Sequence, residues 1–359
     1  MAYTSIDDPS AYFQTALYAG NNTTDHNITN DGNSDLQPDL VWIKQRTSDN
    51  PHVLQDTSRG FNGSGLVFNL QTNSTAPEGT NGAFESFNTN GFGVGGTNVA
   101  SGAYNSSGSN YVAWQWKANG GTTSSNTDGS VTSTVQVNQD AGFSIVTFDS
   151  ASSGNFSVGH GLGVQPAMII TKNREGTSQW YTWHQHLTGG TGNTSYLLSL
   201  NRTDAEASYA NAWGAGVTSS VFGMQSGNTA TASNDYVAYA FAEKQGYSKF
   251  GKYVGNGDAN GAFVYTGFKP AFLLWKITST TGDWRLVDTK RGVNGAIPRI
   301  KPNSSSAEGS AGDNVDLLSN GFKFRSTAAS ANASGASYIY MAFAENPFVT
   351  STGIMGTAR

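Results

Sequence analysis

The chain has no cysteine and only five histidines, and Asp, Glu, Lys and Arg together make up 13% of its 359 residues. Without cysteine there are no disulfides, thiolate metal sites or cysteine nucleophiles. So few histidines leave little acid–base chemistry to draw on. The net charge is −5 with no basic cluster, so the electrostatic footprint of a nucleic-acid binder is missing. No apolar run approaches membrane-spanning length, and membrane insertion is not expected. The start lacks the basic-then-apolar order of a signal peptide, so none is expected. No Ser/His/Asp arrangement or phosphate loop stands out, and neither a cofactor nor a metal is expected. A glycosidase pair of carboxylates stays open, because its members can lie far apart in sequence.

What is present is a repeat. Pro38-Asp39-Leu40-Val41-Trp42-Ile43-Lys44 returns as Pro166-Ala167-Met168-Ile169-Ile170-Thr171-Lys172 and as Pro270-Ala271-Phe272-Leu273-Leu274-Trp275-Lys276. A β-branched and aromatic run bounded by proline reads as a strand buried on both faces. The register continues without a gap through His52, Trp180 and Trp284, then Asp56, His184 and Asp288, then Arg59, Leu187 and Arg291. Further on come Tyr111-Val112-Ala113-Trp114-Gln115-Trp116, Tyr236-Val237-Ala238-Tyr239-Ala240-Phe241 and Tyr338-Ile339-Tyr340-Met341-Ala342-Phe343. Such self-similarity marks one structural unit used three times. With 44 glycines, abundant Ser, Thr and Asn, and no long amphipathic helix, the unit should be many short strands joined by polar turns. The expected fold is all-β: three tandem antiparallel β-sandwich repeats, jelly-roll-like.

The expected boundaries are an N-terminal arm at 1–12, repeat 1 at 13–118, a Gly/Ser/Thr linker at 119–142, repeat 2 at 143–248, repeat 3 at 249–346 and a patternless tail at 347–359. The linker is expected to be flexible or an extended crossing segment. Repeats 2 and 3, with almost no linker between them, should pack together. Alternation along the closing strands puts Val112, Trp114 and Trp116 opposite Tyr111 and Ala113. The large side chains are expected to fill the space between the two sheets of a sandwich, and the small ones to admit a neighbour. The arm holds Tyr3, Ile6, Pro9 and Tyr12 and is too short for its own core, so it is expected to dock between subunits of a homo-oligomer.

Three groups of residues invite a chemical reading. Asp56 and Arg59 recur as Asp288 and Arg291 and are lost together in repeat 2, which reads as an ion pair or turn cap, with ligand binding as the alternative. Lys44, Lys172 and Lys276 end buried strands and should snorkel to solvent. Trp180, Trp183, His184 and His186 form the most unusual cluster. They read as packing beside a repeat interface, as rings for stacking a glycan, or as part of a metal site that would need a third ligand.

Several stretches resemble structural proteins of marine tailed phages such as those infecting cyanobacteria. They are Ile6-Asp7-Asp8-Pro9-Ser10-Ala11-Tyr12-Phe13-Gln14-Thr15-Ala16-Leu17-Tyr18, the strand from Pro38 to Lys44, and Asp56-Thr57-Ser58-Arg59-Gly60. The link Phe241-Ala242-Glu243-Lys244-Gln245-Gly246-Tyr247-Ser248-Lys249-Phe250-Gly251 and the stretch from Tyr338 to Glu345 resemble repeated modules of the same proteins. Those modules are similar to concanavalin-A-like or laminin-G-like sandwiches. The resemblance implies a virion component made in the host cytoplasm, a tail fibre or an appendage of tail or head. Its partners would be copies of itself, other virion proteins and host surface glycans. It carries no catalytic residues to transfer. A lectin-like module and a glycan-cleaving enzyme are the other functional expectations.

Overall fold

The computed structural model describes residues 2–292, 294, 297–309 and 314–356. It is 43% strand and 3% helix, so the all-β expectation holds. Every pairing between its strands is antiparallel. In the first part of the chain, strands β1 (Phe13–Ala19), β2 (Leu40–Gln45), β3 (Val53–Asp56) and β4 (Asn110–Trp116) form a sheet in the order β1-β4-β2-β3, extended by Val67–Gln71 and Gly79–Asn81. A small sheet of His26–Thr29, Gly91–Val94 and Phe84–Asn88 accompanies it.

The second part begins inside the stretch read as a linker. Strands β5 (Ser124–Asn126) and β6 (Ser133–Asn138) lead the sheet order β5-β6-β7-β10-β8-β9, with β7 (Phe143–Asp149), β8 (Met168–Asn173), β9 (Tyr181–His184) and β10 (Asp235–Phe241). Residues 119–142 are therefore not a free tether. Val135 and Val137 alternate with Thr134 and Gln136, the period of a strand, and composition alone hides it. The start of the segment is tied down by buried Asp39, whose carboxylate accepts from the Ala118, Gly120 and Gly121 N–H groups at 2.7–2.9 Å.

The third part has β11 (Ser248–Val254), β12 (Phe268–Ile277), β13 (Arg285–Asp288) and β14 (Ser337–Pro347) in the order β11-β14-β12-β13. Opening strand, closing strand, proline strand and short strand thus stand side by side in the same order in each part. Asn90-Gly91 and Asn320-Gly321 turn into small-sheet strands, as their sequence predicts. A Cβ at Gly91 would lie 1.9 Å from the Ile28 carbonyl oxygen, and one at Gly321 2.1 Å from that of Val264, so neither site admits a side chain.

The placement of the core corrects the sequence reading. Val112, Trp114, Trp116, Val237, Tyr239, Phe241, Ile339, Met341 and Phe343 do not face a small sheet. They meet in one central cluster to which all three large sheets contribute. The opposite faces, with Ala113, Ala238 and Ala342, line the three local cores, together with Phe92 and with Phe222 and Phe322 of two further small sheets, one of Asn155–Gly159 and Val221–Gln225 and one of Phe263–Tyr265, Gly321–Phe324 and Val315–Leu318. The physical reason is that a three-way junction of sheets leaves a wider space to fill than a single sandwich, and the aromatic side chains fill it. Repeats 2 and 3 pack together, and repeat 1 closes on both.

The arm is also corrected. It docks on its own chain: Thr4 Oγ1 donates to the Gln245 carbonyl at 2.7 Å, Tyr3 Oη donates to the Gly267 carbonyl at 2.9 Å, and Ile6 is buried in the central cluster. Tyr12 packs edge-on against Tyr247, 6.0 Å between centroids. Of the apolar side chains offered for a subunit contact, Ile6 and Pro9 are buried within the chain, and Tyr3 and Tyr12 are partly so. The tail is described to residue 356, where Ser351 hydrogen-bonds Asp7 through its N–H at 2.6 Å. Residues 357–359 of the tail and Met1 of the arm lie outside the described residues.

Candidate functional site

The polar residues singled out by the repeat all lie at joints between sandwiches. At the joint of repeats 1 and 2, Arg59 Nε meets Asp56 Oδ2 at 2.5 Å, and both side chains are fully buried. The Arg59 N–H donates to Asp56 Oδ1 at 2.8 Å, a turn cap. Tyr239 Oη of repeat 2 donates to Asp56 Oδ2 at 2.8 Å, and Glu78 bridges Arg59 at 2.9 Å to Arg174 of repeat 2 at 2.8 Å. Burial works against the Arg59 charge, but Asp56, Tyr239 and Glu78 together hold its pKa above the ordinary value.

The joint of repeats 3 and 1 repeats this plan. Arg291 Nε meets Asp288 Oδ2 at 2.6 Å, Trp114 Nε1 of repeat 1 donates to Asp288 Oδ2 at 3.0 Å, and Glu308 bridges Arg291 at 3.1 Å to Arg46 at 2.9 Å. Burial opposes the Glu308 charge, yet the two guanidiniums hold its carboxyl below the usual range.

At the joint of repeats 2 and 3 the facing closing-strand residue is Met341, which has no donor to offer a carboxylate. An aspartate there would be buried without the bond that Tyr239 or Trp114 supplies elsewhere. His184 takes the place instead and its Nε2 donates to the Tyr340 carbonyl at 3.2 Å. With no carboxylate to pair, the arginine gives way to Leu187, which joins the central cluster. One main-chain bond is common to all three joints: the N–H groups of Glu78, Glu206 and Glu308 donate to the carbonyls of Arg174, Thr278 and Arg46 at 2.6, 3.0 and 2.8 Å.

The lysines do not reach solvent. Lys172 Nζ donates to the Thr75 and Ser178 carbonyls at 3.0 Å, Lys276 Nζ to Thr203 at 3.3 Å and Ile277 at 2.7 Å, and Lys44 Nζ to Gln45 at 2.7 Å and Ser48 at 3.3 Å. Burial pushes each down to about 8. Snorkelling fails because the strands end at joints. For Lys172 and Lys276, a loop of the preceding repeat supplies one of the accepting carbonyls.

The aromatic cluster belongs to packing. Trp180 is fully buried in the central cluster with Nε1 donating to the Gln71 carbonyl at 2.9 Å, and Trp183 is fully buried in the local core of repeat 2 with Nε1 donating to the Asn193 carbonyl at 3.2 Å. Trp284 reaches the Ser199 carbonyl at 3.0 Å in the way Trp180 reaches Gln71. Neither tryptophan ring is open to a sugar. His186 is exposed, 5.7 Å from the buried His184 ring, and no group of three or more metal-ligating side chains exists among the described residues.

Three histidines are buried, and all three are held neutral: at His52 burial is the main cause, with Nδ1 already accepting from Trp42 Nε1 at 3.0 Å, and His184 and His160 share a common bonding plan. His184 Nδ1 accepts from the His186 N–H at 3.2 Å while Nε2 donates to a carbonyl; His160 does the same with the Leu162 N–H and the Thr218 carbonyl, both at 3.2 Å. A second proton would sit on Nδ1, facing another donor. Burial holds His184 down at about 3 and His160 at about 4. Between these values and the ordinary 6.5 the unfolded chain binds more protons, so stability is full above pH 6.5 and falls as pH drops. Each histidine should cost about 2 kcal/mol by pH 5. Urea unfolding at pH 7.5, 6 and 5 reads this loss, and His184→Gln should make it smaller by about 2 kcal/mol while the other buried histidines keep theirs. A midpoint that does not move between pH 7.5 and 5 would refute the account.

The joint of repeats 3 and 1 holds a cavity of about 710 Å³, lined among others by Phe13, Thr15, Ala271, Thr289, Lys290 and Glu345. Two ion pairs stand at it, Lys269 with Glu345 at 2.9 Å and Lys290 with Asp31 at 2.8 Å. Thr15 Oγ1 and Glu345 Oε2 are buried and bond to nothing among the described residues. Sequence reasoning passed over these residues.

The fold and its joints define an all-β protein of antiparallel sandwiches around a shared core. The model of a family described as a domain of unknown function, DUF7483, matches residues 8–347, and the chain belongs to that family. No curated protein and no solved structure matches the chain.

Proposed function

We propose that the chain is a non-enzymatic structural component of a phage virion, a tail fibre or an appendage of tail or head. The observation that carries this reading is where the unusual polar chemistry sits. Asp56, Arg59, His184, Asp288 and Arg291 lie inside joints, where they fasten sandwiches together. A block whose reactive side chains are occupied in this way suits a part that transmits load and contacts neighbours. The likeness of residues 6–18, 38–44 and 241–251 to marine tailed-phage structural proteins supports the same reading. Its partners are then further copies of itself and other virion proteins. Mass spectrometry of purified virions tests the reading: the polypeptide should be present in stoichiometric amount, and particles lacking it would overturn the proposal. A lectin-like contact with host glycans would have to use surface rings such as Tyr209 and Tyr265, about half exposed, in place of the buried tryptophans.

A further inference from the structure

The three opening strands present one edge each to a joint, and the three edges are finished differently. In β7, Phe143, Ile145 and Thr147 stand opposite Asn138, Gln136 and Thr134 of β6. In β11, the Phe250 N–H donates to Glu243 Oε1 at 3.0 Å and its carbonyl accepts from Gln185 Nε2 at 2.8 Å. In β1, the Tyr12 carbonyl accepts from the Lys117 N–H and the Gly20 N–H donates to Ser109. Even-numbered residues therefore bond to β4, and the backbone groups of Phe13, Thr15 and Leu17 point the other way. Among the described residues no strand lies on that side and no hydrogen bond reaches those groups.

The cavity lies beside this bare edge. Its wall residues Ala271, Thr289 and Lys290 hold the places of Asp39, Thr57 and Ser58. Those three grip Gln136 of β6: Thr57 and Ser58 donate to its Oε1 at 2.8 Å, and its Nε2 donates to Asp39 at 2.8 Å. The molecule thus shows, one joint away, what fills such a place.

We propose that the β1 edge and its cavity receive an extended strand from a second polypeptide, paired antiparallel with β1 as β6 is with β7. One of its side chains, an amide of Gln or Asn, enters the cavity. An amide carries both a donor and an acceptor, matching the acceptors Thr15 Oγ1 and Glu345 Oε2 and the donors Thr289 and Lys290. The strand supplies main-chain bonds to Phe13, Thr15 and Leu17, which is strand addition to a sheet edge. It also covers Leu17, which is 39% exposed. The occupant has the chemistry of β6, a polar and β-branched run with little charge.

The probe is a synthetic peptide of residues 130–139, Ser-Val-Thr-Ser-Thr-Val-Gln-Val-Asn-Gln, added to the full chain. Fluorescence anisotropy of the labelled peptide should saturate, and amide exchange should slow at Phe13, Thr15 and Leu17. A Gln136→Pro version of the peptide cannot donate at the central position and should bind about tenfold more weakly. Thr15→Pro in the protein removes an outward N–H without breaking a bond to β4 and should weaken binding likewise. No saturable binding at millimolar peptide, equal binding of the proline peptide, or binding that slows none of the three amides would overturn the proposal. The outcome is independent of the virion reading, which stands or falls on particle composition.

Discussion

Phe343→Ala should lower stability by about 3–5 kcal/mol and loosen all three sandwiches together. Its ring centroid lies 5.2–6.1 Å from those of Phe13, Trp116, Phe241, Tyr247, Phe250 and Phe272, rings drawn from every repeat. A cavity there has no single sandwich to collapse onto. Phe322→Ala is the control, since Phe322 packs only in the local core of repeat 3. Urea unfolding gives the loss, and amide exchange shows where it spreads. Faster exchange in repeats 1 and 2 is expected for Phe343→Ala alone; a loss confined to repeat 3 in both variants would contradict the shared core.

The second large effect is at the buried ion pairs. Arg59→Leu strands the fully buried Asp56 without its guanidinium, leaves Glu78 with Arg174 alone, and should cost about 3–5 kcal/mol. Adding Asp56→His rebuilds the histidine and leucine combination of repeat 2 and should recover part of the loss, because no carboxylate is then left at position 56. The double-mutant cycle measures the coupling directly. If the double variant were less stable than Arg59→Leu, the pair would not be acting as a unit.

Much of this was legible in the residues. The strand from Leu40 to Gln45 and its two counterparts follow from β-branched runs after proline, and the joint loss of Asp56 and Arg59 in repeat 2 announced their contact. What escaped was set by neighbours far along the chain. Alternation in β4 separates Trp114 from Ala113 but does not say which face meets another sheet. Lysine at a strand end looks solvent-bound until a loop of another repeat covers it. The strand at Ser133–Asn138 was hidden by the Gly, Ser and Thr before it. The exchange of Asp for His184 becomes readable only when set against Tyr239, Trp114 and Met341, because the partner's donor decides which side chain can be buried.

The arm and the stretch after β14 meet at the joint of repeats 3 and 1, which the arm crosses to place Tyr3 on the Gly267 carbonyl. Residues 117–142 span the joint of repeats 1 and 2, and residues 242–248 span that of repeats 2 and 3. At the third, Thr4 and Ile6 lie on one side and Ser351 holds Asp7 from the other. That joint is an intramolecular binding reaction, and its effective concentration is fixed by the two connected joints. It closes firmly with a contact that would be weak between separate molecules. A circular permutant opened in the exposed turn at Thr127–Asp128, with residues 2 and 356 bridged by a flexible segment, should keep all three joints and give the third one a covalent crossing in place of the first.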